Sequence, residues 1–340
     1  MILGHETGLA VRRMPRPPRS ANPEPPFSHV RQVATATWKT LSAKARAEVI
    51  GTKPATALIL ADALHWMATT PEDSIHAIVT DPPFGLIEYE QRDHGKMRAG
   101  RGGVWRIPPA FDGAKRAPLP RFTTLTPKDH RRLEAFFADV AILARRILVP
   151  GGHLLIAANP LLSSAVFAAI EHAGLPKRGE VIRLVQTLRG GDRPKGAHDE
   201  FPGVAVMPRS SWEPWGLFRK PLSEKTVAAN LRRWGTGGLR RPSEVEPFRD
   251  VIRSAPTRRT ERELSPHPSL KPQHFMRQVV GAMLPVGEGL LYDPFAGGGS
   301  TLAAAHRLGI LSIGTELDAE YYASAIAGIP RLSGYEPPLR

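Results

Sequence analysis

Asp293-Pro-Phe295-Ala296-Gly297-Gly298-Gly299-Ser300-Thr301 is the stretch on which the reading of this chain turns. An apolar run, Gly289 to Tyr292, leads into it, and a helical pattern from Ser300 to Leu308 leads out. Glycines between a strand and a helix let the backbone turn tightly and approach a ligand. The loop lacks the Lys that precedes Ser/Thr in a triphosphate-cradling loop. Its glycines are consecutive and a carboxylate opens it, so it is also a poor dinucleotide fingerprint. Asp293 would repel a pyrophosphate and attract an ammonium.

A second acid, Glu316, closes the following strand, where nucleotide folds bind ribose hydroxyls. A ligand carrying both an amino-acid ammonium and a nucleoside ribose suits this pair, and S-adenosylmethionine is that ligand. The candidate cofactor positions are Asp293, Phe295, Ala296, Gly297, Gly298, Gly299, Thr301 and Glu316. Asp62, at the end of its own short strand, is a candidate acceptor for the adenine amino group, or equally the N-cap of the helix that follows.

Outward from the loop, apolar strand-like runs alternate with helical patterns. Strands are read at 57–62, 75–80, 153–158, 180–188, 212–219, 289–292 and 310–314, and helices at 63–69, 127–148, 161–172, 272–284, 300–308 and 319–327. This alternation predicts an α/β fold with a doubly wound, mostly parallel, seven-stranded sheet. Residues 1–56 read as a basic, Pro/Arg-rich arm. Residues 57–220 and 266–330 read as two halves of one domain, 221–265 as an inserted basic lobe, and 331–340 as a tail.

The 340 residues carry 46 Lys+Arg against 32 Asp+Glu, a net charge of +14. Residues 1–60, 85–132, 177–220 and 221–265 hold the positive excess, whereas the strand-rich remainder is net acidic. A neutral core with basic loops suits a polyanion, nucleic acid first. With no Cys, the chain has no thiol nucleophile and no thiolate-held metal, and no metal site is read. The longest apolar stretch, Leu154 to Ile170, is broken by Asn159-Pro160 and falls short of a bilayer crossing. No secretory signal is read, so the expected location is cytoplasmic, and nucleoid-associated if the source is bacterial.

Thr80-Asp81-Pro82-Pro83-Phe84-Gly85 follows the apolar strand His76 to Val79. Two prolines donate no hydrogen bonds and stiffen a loop whose carbonyls point outward. With the Asp81 carboxylate they form an all-acceptor site beside an aromatic face. Such a site suits an exocyclic amino group on a flat ring.

Several motifs now agree in order and spacing. They are Ala61-Asp62-Ala63-Leu64, Asp81-Pro82-Pro83-Phe84, Val149-Pro-Gly-Gly-His-Leu-Leu-Ile, His267-Pro-Ser-Leu-Lys271-Pro272, the Asp293–Thr301 loop and Ile313-Gly-Thr-Glu316-Leu-Asp. Together they resemble the DNA methyltransferases that methylate adenine N6 or cytosine N4, in the circularly permuted order with the Asp-Pro-Pro-Phe motif before the cofactor loop. The resemblance covers roughly residues 57–328, with 85–128 and 221–265 outside it. It implies a Rossmann-like methyltransferase sheet in which the Asp81 and Asp293 strands are neighbours.

By this resemblance the catalytic residues are Asp81, Pro82, Pro83 and Phe84, acting on a base swung out of the duplex. Lys271 belongs to a cofactor-side element or is a surface cation, and Glu213 orients the loop or sits at a solvated strand edge. Arg92, Lys96, Arg98 and Arg101 follow the active site as a DNA-clasping loop would; Arg232, Arg233, Arg240 and Arg241 lie where the family places target recognition. Phe84 stands where the family often has Tyr, and Asp rather than Ser at position 81 leans toward adenine. Double-stranded DNA is the implied partner, with a homodimer and a cognate restriction endonuclease left open. Cytosine N4 methylation, RNA amino methylation and an inactive DNA-binding module stay as alternatives, and a nicotinamide oxidoreductase as a remote one.

Overall fold

The computed structural model describes residues 27–51, 55–83, 127–185, 194, 196–197, 199–206, 208 and 211–337. Its centre is β3 (Ile75–Thr80), Ile-His-Ala-Ile-Val-Thr, whose every residue is buried. Buried on both faces, it reads as continuous apolar sequence. β3 pairs in parallel with β4 (Leu148–Ala157) on one side and with β8 (Leu290–Asp293) on the other. β9 (Leu311–Glu316) and β2 (Thr56–Leu60) extend the parallel set, and β6 (Trp212–Arg219) runs antiparallel between β4 and β5 (Lys177–Leu184).

The strand order is β1-β2-β9-β8-β3-β4-β6-β5-β7. Seven of these are the expected strands. The two additions are three-residue edge strands, β1 (Glu48–Ile50) and β7 (Val251–Arg253), too short to show periodicity in sequence. Reversal of the strand order around β8 and β3 brings two distant parts of the chain together. The two Asp-bearing strands are neighbours, as expected.

Side chains alternate strictly across the central strands. Ile78, Leu154, Ile156, Leu290 and Tyr292 face one layer, which contains α1 (Ser28–Lys44), α2 (Ala63–Thr69), α3 (Pro127–Ile147) and α4 (Ser163–His172). Ala77, Val79, Leu155, Ala157 and Leu291 face the opposite layer, with α7 (Gln273–Ala282) and α8 (Ser300–Arg307). α9 (Ala319–Gly334) closes that side against α8.

Two boundaries differ from the sequence reading. The supposed arm is partly structured: α1 buries Val30, Ala34, Trp38 and Leu41, and the Trp38 indole donates to the Ser312 carbonyl at 3.0 Å. Apolar residues at helical spacing were masked there by the Pro-rich segment before them. Residues 221–265, read as a separate lobe, are woven into the body. α5 (Val227–Trp234) is anchored by Asn230, whose amide donates to Pro150 O and Thr236 O, both at 2.9 Å. β7 adds to the sheet beside β5, and Glu261 of α6 (Arg259–Arg262) accepts from the Gln273 amide at 2.8 Å. Among the described residues, no helix is long and apolar enough to cross a membrane.

Candidate active site

The parallel strands β2, β9, β8, β3 and β4 all end on one edge, at Leu60, Glu316, Asp293, Thr80 and Ala157. Because β6 runs the other way, its first residues, Trp212 and Glu213, lie on that same edge. Ligands of open α/β sheets gather there, at the point where strand order reverses.

Asp293 is 2% exposed and collects donors. Thr80 Oγ1 donates to its Oδ1 at 2.7 Å and the Phe295 amide at 3.1 Å, and the Thr301 hydroxyl also bonds to it. Burial pushes its carboxyl up to about 6, against the pull of these donors. The rest of the loop is shaped by packing. A Cβ on Gly298 would lie 2.6 Å from the His267 Cβ. Gly299 has φ +80°, and a Cβ there would lie 2.4 Å from Ile329. Ala296 is buried, its amide bonded to Thr315 O at 3.0 Å, and the Phe295 ring lies 6.0 Å from that of Phe136.

Glu316 braces this loop directly: its Oε2 accepts from the Gly297 amide at 2.7 Å and its Oε1 from the Asp318 amide at 2.9 Å. Asp62 caps α2, accepting from the His65 amide at 2.8 Å. The capping reading is the observed one, and it occupies one of the two carboxylate oxygens.

Lys271 is buried rather than a surface cation. Its ammonium pairs with Asp81 Oδ2 and lies 3.7 Å from Glu213 Oε2, while its backbone amide donates to Ser300 Oγ at 3.0 Å. A lysine ahead of the helix-starting Pro272 thus bridges the glycine loop to the Asp81 motif. Glu213 is largely shielded, its side chain 15% exposed, rather than a solvated edge residue. Arg183 Nη1 approaches its carboxylate at 3.3 Å and the Trp215 indole donates to Oε1 at 2.9 Å.

Burial raises the Asp81 carboxyl, and nearby Glu213 adds to this while Lys271 opposes it. Burial works against the Glu213 charge as well, but Lys271 and Arg183 together bring that carboxyl below its usual range. Burial, then the Lys271 charge, lowers His267 to about 4, which leaves it neutral at pH 7. Asp81 Oδ1 is buried and has no hydrogen-bond partner among the described residues. Pro82 is buried beside it and Pro83 is exposed.

The structure therefore brings together Asp81, Pro82, Pro83, Lys271, Asp293, the glycine loop and Glu316. Phe84, Arg92, Lys96, Arg98 and Arg101 lie outside the described residues. Arg232, Arg233, Arg240 and Arg241 are not brought to the site. Asn230 on α5 is tied to Pro150, and Arg219 Nη1 donates to Gly237 O at 2.8 Å, so this segment lies at the start of β4 and end of β6. That is the opposite edge of the sheet. There Arg233 pairs with Glu224 at 2.7 Å, the Arg241 guanidinium donates to Val245 O at 3.0 Å, and the Arg240 amide donates to Ala282 O. Clustered Arg in the sequence carries no information on which edge receives it.

Sequence reasoning missed Thr80 and Arg183. Arg183 had a signal: a guanidinium inside the apolar run Val181-Ile182-Arg183-Leu184 needs a buried partner. Thr80 had none, since its role depends wholly on β8 lying alongside.

Comparison with known proteins finds similar sequences and similar folds. Residues 208–327, which contain Glu213, Lys271, the glycine loop and Glu316, match a family model described as DNA methylase, of the N6/N4 type. Over this stretch the chain is similar to the amino-methylating DNA methyltransferases. It is 25% identical over 289 residues to the type II methyltransferase M.HindIII of Haemophilus influenzae, covering 78% of this chain and 92% of that protein. Over 79 residues it is 32% identical to the type II methyltransferase M2.DpnII of Streptococcus pneumoniae, 23% of this chain and 29% of that one. In fold it is similar to TTHA0409 of Thermus thermophilus, a provisionally named DNA modification methylase solved with S-adenosyl-L-methionine. That match has a TM-score of 0.52 at 20% identity, covering 82% of this chain and 94% of the other. It is also similar to the cytosine-N4-specific PvuII DNA methyltransferase, with TM-score 0.53 at 13% identity and 84% and 88% coverage.

Proposed function

We propose that the chain transfers a methyl group from S-adenosylmethionine to an exocyclic amino group of a base in double-stranded DNA, adenine N6 in the first place. One observation carries this reading: the buried Oδ1 of Asp81, without a partner among the described residues, stands at the carboxyl end of β3, one strand from the Asp293 loop. An acceptor desolvated and left open in a cleft has a strong demand for a donor, and an amino N–H meets it.

The residues present fit the cofactor. The Asp293 carboxylate suits its ammonium, the glycine cradle admits close backbone approach, and Glu316 and Asp62 suit ribose and adenine donors. Phe295, at the loop's start, would offer an aromatic face to the adenine ring. When bound, the cofactor supplies an electrophilic methyl group on a sulfonium.

The protein's part is positioning and electrostatics. Asp81 Oδ1 and the Pro82 carbonyl accept the two amino N–H bonds, which holds the nitrogen's lone pair out of the ring. Asp81 is then the place for the proton the nitrogen sheds. A chain without Cys offers no thiol for attack on a pyrimidine ring, which supports amino rather than ring-carbon methylation. Asp at position 81 supports adenine over cytosine, and cytosine N4 is the alternative.

Arg92, Lys96, Arg98 and Arg101 remain the proposed DNA contacts, with a cytoplasmic setting. Whether a homodimer or a restriction endonuclease accompanies the chain belongs to the same proposal as an open point. The test is incubation with isotope-labelled S-adenosylmethionine and unmodified genomic DNA, then nucleoside mass analysis. N6-methyladenine is expected, and N4-methylcytosine would keep the mechanism and change the base. Label in neither, with Asp81→Ala indistinguishable from wild type, would overturn the proposal.

A further inference from the structure

Four charged side chains meet under the Asp81 motif: Asp81, Lys271, Glu213 and Arg183. Their charges sum to zero in a nearly dry place, the side chains being 15%, 8%, 15% and 6% exposed. Buried ion pairs are poor stabilisers, because desolvation offsets the attraction. A four-membered one beside a reaction centre calls for another reason.

The arrangement is rigid. Arg183 and Glu213 are cross-strand partners in the β5–β6 register. The Trp215 indole fixes Glu213 Oε1, and Arg183 donates to Ser254 Oγ at 3.0 Å and Ala255 O at 2.9 Å, just beyond β7. Glu213 is thereby held within reach of Lys271. The other charged or titratable groups bearing on Asp81 are Asp293 from β8 and, through Lys271, the neutral His267.

We propose that Glu213, held by Arg183, is a positioning residue for the transfer reaction. By drawing on the same ammonium from 3.7 Å it tempers the hold of Lys271 on Asp81 Oδ2 and leaves Oδ1 basic and aimed at the target amino group. This rests on the function proposed above. Without the Glu213 charge, Lys271 loses one of its carboxylate partners. Asp81 then binds its proton and its N–H donor less strongly. Without the Arg183 charge the imbalance reverses.

The test pairs two variants of opposite charge effect, Glu213→Gln and Arg183→Gln, with Glu213→Asp as the charge-keeping control. Two readouts are taken on the full chain: single-turnover methyl transfer to genomic DNA across pH, and titration of the Asp81 carboxyl by 13C NMR without DNA. Glu213→Gln is expected to slow transfer at least tenfold, with the Kd for S-adenosylmethionine changed less than twofold. It should move the Asp81 titration and the acid limb of the rate at least half a pH unit down. Arg183→Gln should move both up, and Glu213→Asp should restore the wild-type values. Shifts of the same sign in both Gln variants, an unmoved titration, or a Glu213→Asp no better than Glu213→Gln would overturn the proposal. If wild-type protein transfers no methyl group, the functional reading falls, and the titration still decides the network.

Discussion

Thr80→Val isolates one hydrogen bond between the two halves of the site. Thr80 is fully buried, and its hydroxyl donates to Asp293 Oδ1 at 2.7 Å. Valine keeps the shape and removes the donor, leaving Asp293 the Phe295 amide and Thr301. A hydrogen bond to a charged group contributes about 1.5–3 kcal/mol. If the ionised carboxylate loses about 1.4 kcal/mol more than the protonated one, the titration rises by about one pH unit.

Asp293 titrates at about 6, so the variant would titrate at about 7. Its ionised fraction falls from about nine-tenths to about one-half at pH 7, and from about one-half to about one-tenth at pH 6. If the ionised form holds the ligand ammonium, the Kd for S-adenosylmethionine weakens relative to wild type by about fivefold at pH 6 and about twofold at pH 7. By pH 8 the two proteins converge. Calorimetric titration of both at the three pH values checks this, and the ratio cancels the ligand's own ionisation. A ratio that does not vary with pH would refute the reasoning.

Acid should destabilise the fold through two buried imidazoles. His76 and His153 are lowered by burial to about 4 and about 3, against an ordinary value of 6.5. Their stabilisation is whole above pH 6.5 and is lost as pH falls toward those values, about 2 kcal/mol from each by pH 5. Asp293, raised to about 6, acts in the opposite sense and returns about 1 kcal/mol over the same interval. Urea midpoints should drop between pH 7 and pH 5, and equal midpoints would count against neutral buried histidines. Gly298→Ala, with a Cβ forced to 2.6 Å from His267, should cost about 1–3 kcal/mol in chemical denaturation. Wild-type stability would mean that the His267 segment yields freely. Trp38→Ala, which empties a core position and frees the Ser312 carbonyl, should cost about 3–5 kcal/mol. A loss under about 1 kcal/mol would return α1 to the status of a loose arm. DNA affinity should fall steeply between about 50 and 200 mM salt if phosphate contacts lead it; a flat response in a filter-binding titration would remove the basic loops from the interface.

Local pattern was enough for much of this molecule. The apolar runs at Ile75–Thr80 and Leu290–Asp293, each ending at or just before a carboxylate, and the glycine loop before Ser300 are legible because strand, turn and helix N-terminus depend on neighbouring residues. The alternation of strands and helices gave the layered sheet on the same grounds. Boundaries failed where a signal was short or masked: β1 and β7 have three residues each, and α1 follows a Pro-rich run.

What the chain by itself determined was the set of chemical groups: an acceptor motif at Asp81, a carboxylate-headed glycine loop at Asp293 and an excess of basic residues outside the strands. Tertiary structure alone decided which groups meet. Lys271 reaches Asp81 across 190 positions, Thr80 reaches Asp293 across 213, and Glu213 finds Arg183 through strand register. It also sent Arg232, Arg233, Arg240 and Arg241 to the far edge, where α5 is pinned to Pro150. The physical reason is that a charge's local sequence sets that it must be solvated or paired, whereas its partner is set by which strands abut, a non-local choice made by burying the apolar faces of the whole sheet at once.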